Sequence, residues 1–275
     1  MIFAVAGGDE RMVRLVRLLR EDGHRVLPYA MENALECAGP EALQSAEAVI
    51  LPLPCVRGGR LFAPYSDEKY VPGQILSALP RSTPVLAGQA GSLRYVCSEL
   101  NLRLFDYFER EELQIKNAVL TAEGAIELML RSCPRSLSGS RVLICGFGRI
   151  GRLLALRLTA LGAAVTAAAR SPADRAWAES MGCRAVCLSD AALSGGCDFI
   201  VSTIPETVLG EDFLKAAGGA LLIELASPPY GFDIGASERL GKSVVIASGL
   251  PGKTAPESAA RAIRDTIYAI LEELS

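Results

Sequence analysis

Three glycines set out the chemistry available to this chain. In Arg141-Val-Leu-Ile-Cys-Gly146-Phe-Gly148-Arg-Ile-Gly151 an apolar run ends in Gly-x-Gly-x-x-Gly, and a helical pattern follows at once. Gly146 permits a tight turn, Gly148 lets backbone approach a pyrophosphate, and Gly151 lets the helix pack close to the strand. The helix N-terminus then faces the phosphates with free N–H groups. Strand, glycines and helix in this order read as a dinucleotide site, with Gly146, Phe147, Gly148, Arg149, Ile150 and Gly151 as its phosphate-binding segment. The next strand, ending in Ala-Ala-Ala-Arg170-Ser171, bears on which dinucleotide. An NAD site usually carries Asp or Glu there, about 20 residues past the glycines, to hold the ribose 2′-hydroxyl. This strand end has no acid. Arg170, with the Ser171 hydroxyl beside it and Arg175 a turn later, suits a 2′-phosphate instead, which favours NADP(H) over NAD(H).

Other strand ends supply further candidates. Ser202-Thr203-Ile204-Pro205 and Glu224-Leu-Ala-Ser227-Pro228 are expected to flank the ribose and nicotinamide, so Thr203, Ile204, Pro205 and Ser227 join the cofactor set. In the first half, Gly7-Gly8-Asp9-Glu-Arg11 follows the opening strand. Asp9 reads equally as a helix N-cap or a functional acid. Arg11, in the first helical turn, could bind a substrate carboxylate bidentately or lie on the surface. Gly88-Gln89-Ala90-Gly91 ends another strand and would let a ligand near the backbone. Lys253 precedes the last helix and could hold an anionic group or be solvated. The single histidine, His24, falls between a helix-ending glycine and a strand and reads as structural. That counts against a 2-hydroxy acid dehydrogenase, whose acid–base group is usually a histidine supported by a carboxylate.

These residues need strand–helix alternation to position them. The pattern predicts a strand at 2–6, an amphipathic helix at Glu10–Glu21, and strands starting at Arg25 and spanning 48–51 and 85–87. Residues 57–73 read as a long loop, and 250–256 as a loop before the last helix. A long helix is expected over 111–131, kinked near Thr121, followed by a linker at 134–139. Further strands are expected at 163–168, 184–187, 198–202, 220–225 and 243–246, and a final helix over 255–274. The expected fold is α/β, with two doubly wound parallel-sheet domains joined by the linking helix. Residues 1–115 form the expected substrate domain and 116–254 the dinucleotide-binding domain. The terminal helix, 255–275, could cross back to the first, and an active site is expected between them.

Composition narrows the class. Half of the 275 residues are hydrophobic, enough for packed cores, and the net charge is −3. That charge, with a pI near 5.5, suggests neither nucleic acid nor an anionic membrane as partner. Mean hydropathy is +0.29, yet no apolar run reaches the ~18 residues of a membrane span. With no basic leader before the first strand, a cytosolic, unprocessed chain is expected. The eight cysteines argue against a disulfide framework in that setting. Cys145, Cys183 and Cys187 read as small buried thiols, and Cys183, Cys187 and Cys197 make only a weak metal pattern, so no metal is expected. The homo-oligomeric state is left open.

Several segments together bring a family into view. Gly7-Gly8-Asp9-x-Arg11, Pro64-Tyr-Ser-Asp-Glu-Lys69 and Asn117-Ala-Val-Leu-Thr121-Ala-Glu123-Gly124 occur with the glycine fingerprint, Ser202-Thr-Ile-Pro205 and Leu250-Pro-Gly-Lys253-x-Ala255-Pro256. In these the chain resembles the dipicolinate synthase A subunits of spore-forming bacteria over nearly its whole length. It departs from the pattern at Leu120, where proline is expected, at Met12, where glutamine is expected, and at Pro229-Tyr230, in place of a Pro-Gly-like turn. The resemblance implies oxidation of dihydrodipicolinate to dipicolinate with NADP⁺, in the mother-cell cytoplasm of a sporulating bacterium. It also implies that the partner is the synthase's flavoprotein-like B subunit. It adds Asn117 and Glu123 to Asp9, Arg11 and Lys253 as candidate catalytic residues. Arg11 and Lys253, on opposite sides of a cleft, would suit two carboxylates. The residues also admit an NADPH-dependent 2-hydroxy or 2-keto acid oxidoreductase, or a non-catalytic NADP-binding subunit.

Overall fold

The computed structural model describes residues 1–81, 83–189 and 194–274. They divide into two compact units: residues 1–117 with 252–275, and residues 118–251.

In the first unit, β1 (Ile2–Ala6), β2 (Arg25–Tyr29), β3 (Ala48–Ile50), β6 (Pro84–Ala87) and β7 (Arg103–Asp106) form a parallel sheet in the order β2-β1-β3-β6-β7. The helices are α1 (Glu10–Glu21), α2 (Pro72–Ser77) and α3 (Arg94–Glu99), and α4 (Glu111–Ser132) runs on into the second unit. Met12, Val13, Leu15, Val16, Leu18 and Leu19 of α1 are all buried, as their helical spacing requires. Leu15, Val16 and Leu19 share a core with Ile263, Ile267 and Ile270 of the last helix, α10 (Pro256–Glu272). Pro256, with no N–H to satisfy, opens that helix.

In the second unit the strands are β8 (Arg141–Cys145), β9 (Ala164–Ala169), β10 (Arg184–Cys187), β11 (Phe199–Ser202), β12 (Leu221–Glu224) and β13 (Val244–Ile246). They form a parallel sheet in the order β10-β9-β8-β11-β12-β13. Between them run α5 (Arg149–Ala160), α6 (Pro172–Ser180), α7 (Glu211–Ala216) and α8 (Ile234–Arg239). Both sheets are covered by helices through apolar clusters, which is why their central strands read as unbroken apolar runs.

Several sequence expectations need correction. The segment expected as a loop over 57–73 holds part of an antiparallel hairpin, β4 (Val56–Arg57) with β5 (Arg60–Leu61), and the start of α2. The expected loop before α10 contains a short helix, α9 (Leu250–Thr254). β7 was not anticipated: it is a short edge strand whose residues are exposed or half-buried, so it lacks a strong apolar pattern. Cys145 and Cys183 are buried, but Cys187 is exposed because it ends the edge strand β10. Among the described residues no helix is long and apolar enough to cross a membrane.

Candidate functional sites

In an open parallel sheet, ligands bind beyond the carboxyl ends of the strands where the strand order reverses. In the second unit that point lies between β8 and β11. The turn after β8 holds Gly146 at φ +94°, a left-handed conformation that favours glycine. A Cβ at Gly146 would stand 2.5 Å from Thr203 Oγ1, and one at Gly151 only 2.2 Å from the Gly146 carbonyl oxygen. Those two glycines are therefore fixed by packing. Gly148 differs: a Cβ there would meet nothing within 4 Å. It leaves open space in front of α5, whose N-cap residue, Gly148, has no side chain to cap the first turn. Two glycines close the turn and one keeps backbone accessible, which is what a bound pyrophosphate requires. Thr203 Oγ1 donates at 3.3 Å to the carbonyls of Cys145 and Gly146, tying the end of β11 to the turn.

The loop after β12 is organised from beneath by Glu224, fully buried at 0% exposure. Its carboxylate accepts from the backbone N–H groups of Ala226 (2.9 Å), Gly231 (2.8 Å) and Phe232 (3.1 Å). Burial pushes its pKa up against the pull of these donors and of the Ser202 hydroxyl. Glu224 thus fixes the loop that carries Ser227. In the sequence it stands out only as part of a strand end.

The cofactor candidates separate on this frame. Phe147 is buried in the core, so its side chain is not a cofactor contact; only its backbone belongs to the turn. Ile204 is likewise buried, and Ile150 packs on the core. Arg149, Pro205 and Ser227 are exposed. Ser171 caps α6 by accepting from Asp174 N–H, and Arg175 donates to the carbonyls of Ala169 (3.0 Å) and Arg170 (2.7 Å). Both have structural duties that the sequence did not suggest. Arg170 is exposed and pairs with Glu206 at 2.9 Å.

In the first unit the strand order reverses between β1 and β3, and Asp9 and Arg11 follow β1 at that point. Asp9 is the N-cap of α1, accepting from Arg11 N–H at 3.2 Å. It also accepts from Arg11 Nε and Nη2, each at 2.8 Å. Nη2 donates in addition to the Leu53 carbonyl. Arg11 is therefore buried, with 6% of its surface exposed, rather than lying on the surface. Its Nε–Nη2 edge is occupied by Asp9, which rules out the expected bidentate grip on a substrate carboxylate. Among the described residues Nη1 makes no hydrogen bond, and no buried side-chain nitrogen or oxygen lacks a partner. Nη1 consequently reaches accessible surface, as the one nitrogen of this guanidinium left for a ligand.

Gly252 lies against the same pair. A Cβ on it would stand 2.9 Å from Asp9 Oδ2 and 3.0 Å from Arg11 Nε. Gly252→Ala should therefore displace the ion pair and lower stability by about 1 kcal/mol, the low end for overpacking at a half-buried position. A urea midpoint equal to that of the wild type would show that the contact is not tight. Lys253 is exposed and belongs to the same unit as Arg11, so the two are not opposed on different domains as expected. Asn117 is half-buried on α4. Glu123 is an exposed residue of α4 paired with Arg157 at 3.4 Å in a surface bridge. His24 packs edge-on against Phe3 and Tyr268, with ring centroids 5.1 and 5.7 Å away, in keeping with a structural role. Among the described residues no three metal-ligating side chains cluster.

Comparison with known proteins fits this geometry. The chain is 30% identical to the dipicolinate synthase A subunit of Bacillus subtilis (strain 168), over 98% of this chain and 96% of that protein. It belongs to the family of dipicolinate synthase A subunits. Residues 2–108 match the N-terminal domain of the dipicolinate synthase A subunit. Residues 104–222 match the NAD binding domain of D-isomer specific 2-hydroxyacid dehydrogenases. Crystal structures of two dipicolinate synthase A subunits superimpose closely. That from Bacillus halodurans has a TM-score of 0.89 at 26% identity, covering 98% of this chain and 97% of that one. That from Bacillus subtilis has a TM-score of 0.85 at 27% identity, covering 99% and 96%. Within this family the chain is an oxidoreductase with a domain for a nicotinamide dinucleotide.

Proposed function

We propose that this chain oxidises dihydrodipicolinate to dipicolinate with NADP⁺ as hydride acceptor. The observation that carries the reading is the match to the Bacillus subtilis dipicolinate synthase A subunit over 98% of the chain. The reaction removes a hydride and a proton from a dihydropyridine ring, and aromatisation drives it. A bound nicotinamide would supply the hydride acceptor. The chain's own contribution is then to orient the substrate and to meet its charge. Gly146, Gly148, Gly151 and the first turn of α5 would hold the pyrophosphate. Arg11, braced by Asp9 and the Leu53 carbonyl, would offer Nη1 to one substrate carboxylate. Exposed Lys253, one residue beyond the glycine that touches this pair, is the candidate for the second carboxylate.

The only histidine is packed between Phe3 and Tyr268. That weighs against a 2-hydroxy acid oxidoreductase that needs a histidine acid–base group. The proposed partner is a flavoprotein-like B subunit, and the proposed setting is the mother cell of a sporulating bacterium. The test is to incubate the purified chain, alone and with that partner, with dihydrodipicolinate and NADP⁺. Dipicolinate formation matched by NADPH fluorescence is expected. NADPH binding without turnover in either case would leave a nucleotide-binding subunit instead.

The choice of NADP⁺ rests on the acid-free end of β9 and on Arg170. Arg170→Ala should weaken NADPH binding about tenfold, the loss of one charge-assisted hydrogen bond to phosphate. Titration of NADPH fluorescence measures this, and equal affinity in both proteins would remove Arg170 from the site.

A further inference from the structure

The Arg170–Glu206 pair has a geometry that a simple surface bridge does not need. Arg170 follows β9, and Glu206 lies in the segment after β11. Each of those strands pairs with β8, and neither pairs with the other. Across two strand spacings they stand about 10 Å apart. A contact of 2.9 Å between Arg170 Nη2 and Glu206 Oε2 must therefore span the carboxyl end of β8. That is the crevice at the reversal of strand order, where the Gly146–Gly151 turn begins. β9 lacks the acid that usually reads the adenosine ribose, and here an acid arrives at the same arginine from the other side of the crevice.

We propose that Glu206 sets the choice between NADP(H) and NAD(H), by acting as the ribose-reading acid that β9 lacks and by competing with a 2′-phosphate for Arg170. This rests on the reading that the dinucleotide lies on the Gly146–Gly151 turn. With NAD(H), the 2′-hydroxyl donates to Glu206 and the ion pair stays closed. With NADP(H), the phosphate takes Arg170, and Glu206 must release it and move away from a like charge. Both side chains are well exposed, 67% for Arg170 and 59% for Glu206, so solvent lets the pair open at small cost.

The test is a set of fluorescence titrations with NADPH and with NADH on wild type, Glu206→Gln and Gly148→Val. Glu206→Gln should tighten NADPH and weaken NADH, moving their affinity ratio roughly three- to tenfold, the range of an exposed charge pair taken for both ligands. The shift should shrink as salt is raised, because the groups are exposed. An unchanged ratio in Glu206→Gln, with binding that Gly148→Val still abolishes, would overturn the role of Glu206 and leave the dinucleotide site standing. Binding that survives in Gly148→Val, or no binding by the wild type, would overturn both.

Discussion

Gly148→Val should abolish dinucleotide binding and leave the second unit folded. The position has φ −77° and ψ −159°, extended backbone that valine adopts readily. No atom stands within 4 Å of where its Cβ would go. The free protein therefore accommodates the new side chain, unlike Gly146 or Gly151, where a Cβ meets Thr203 or the Gly146 carbonyl. The space it fills is the space the pyrophosphate would need on the proposed reading. Losing the close approach of one or two backbone N–H groups to phosphate removes charge-assisted hydrogen bonds of about 1.5–3 kcal/mol each. The expected affinity loss is on the order of a hundredfold or more. Circular dichroism should match the wild type while NADPH fluorescence titrates no site. Tight binding that survives the valine would place the nucleotide elsewhere.

The contrast among these three glycines shows what the sequence could convey. Their spacing was legible because each has a separate steric duty at a fixed distance along one strand–turn–helix unit. The helix at Glu10–Glu21 was legible for a similar reason: six apolar residues at helical spacing are all buried, five of them in one core. What lay beyond the sequence was pairing between distant positions. Arg11 carries a charge, and a lone arginine in a first helical turn usually reads as solvated. Its burial follows from the Leu53 carbonyl and from Gly252, residues far along the chain that come to it only in the folded unit. Glu206 was missed in the same way, since it is 36 positions from Arg170, in the segment after a different strand. Glu123 also has a partner that its segment did not announce. Its place in a family-like segment suggested chemistry, but the exposed surface of α4 gives it a surface ion pair.

Arg11→Lys should lower kcat/KM for dihydrodipicolinate more than it lowers stability, and Arg11→Ala should lower both. On the proposed reading arginine would do two jobs here with one planar group. Nε and Nη2 hold Asp9, Nη2 also reaches Leu53, and Nη1 remains for a ligand. A lysine ammonium restores the charge beside Asp9, which is 27% exposed, and so recovers much of the pairing. Its single nitrogen cannot brace Asp9 and the Leu53 carbonyl and still present a donor in the Nη1 position. Loss of that charge-assisted hydrogen bond should cost a factor on the order of 10–100 in kcat/KM. Alanine adds the cost of leaving the Asp9 carboxylate without its cation, about 1–3 kcal/mol before discounting for its exposure. NADPH affinity should stay at the wild-type value in both variants, because the fingerprint belongs to the other unit. Steady-state kinetics with the dicarboxylate, beside thermal melts and NADPH titration, separate the effects. A lower melting temperature with kcat/KM unchanged would make Arg11 a brace for the β1–α1 turn and nothing more. A lysine variant with wild-type turnover would show that charge alone is read there, and that the single free nitrogen of a braced guanidinium is not what recognises the substrate.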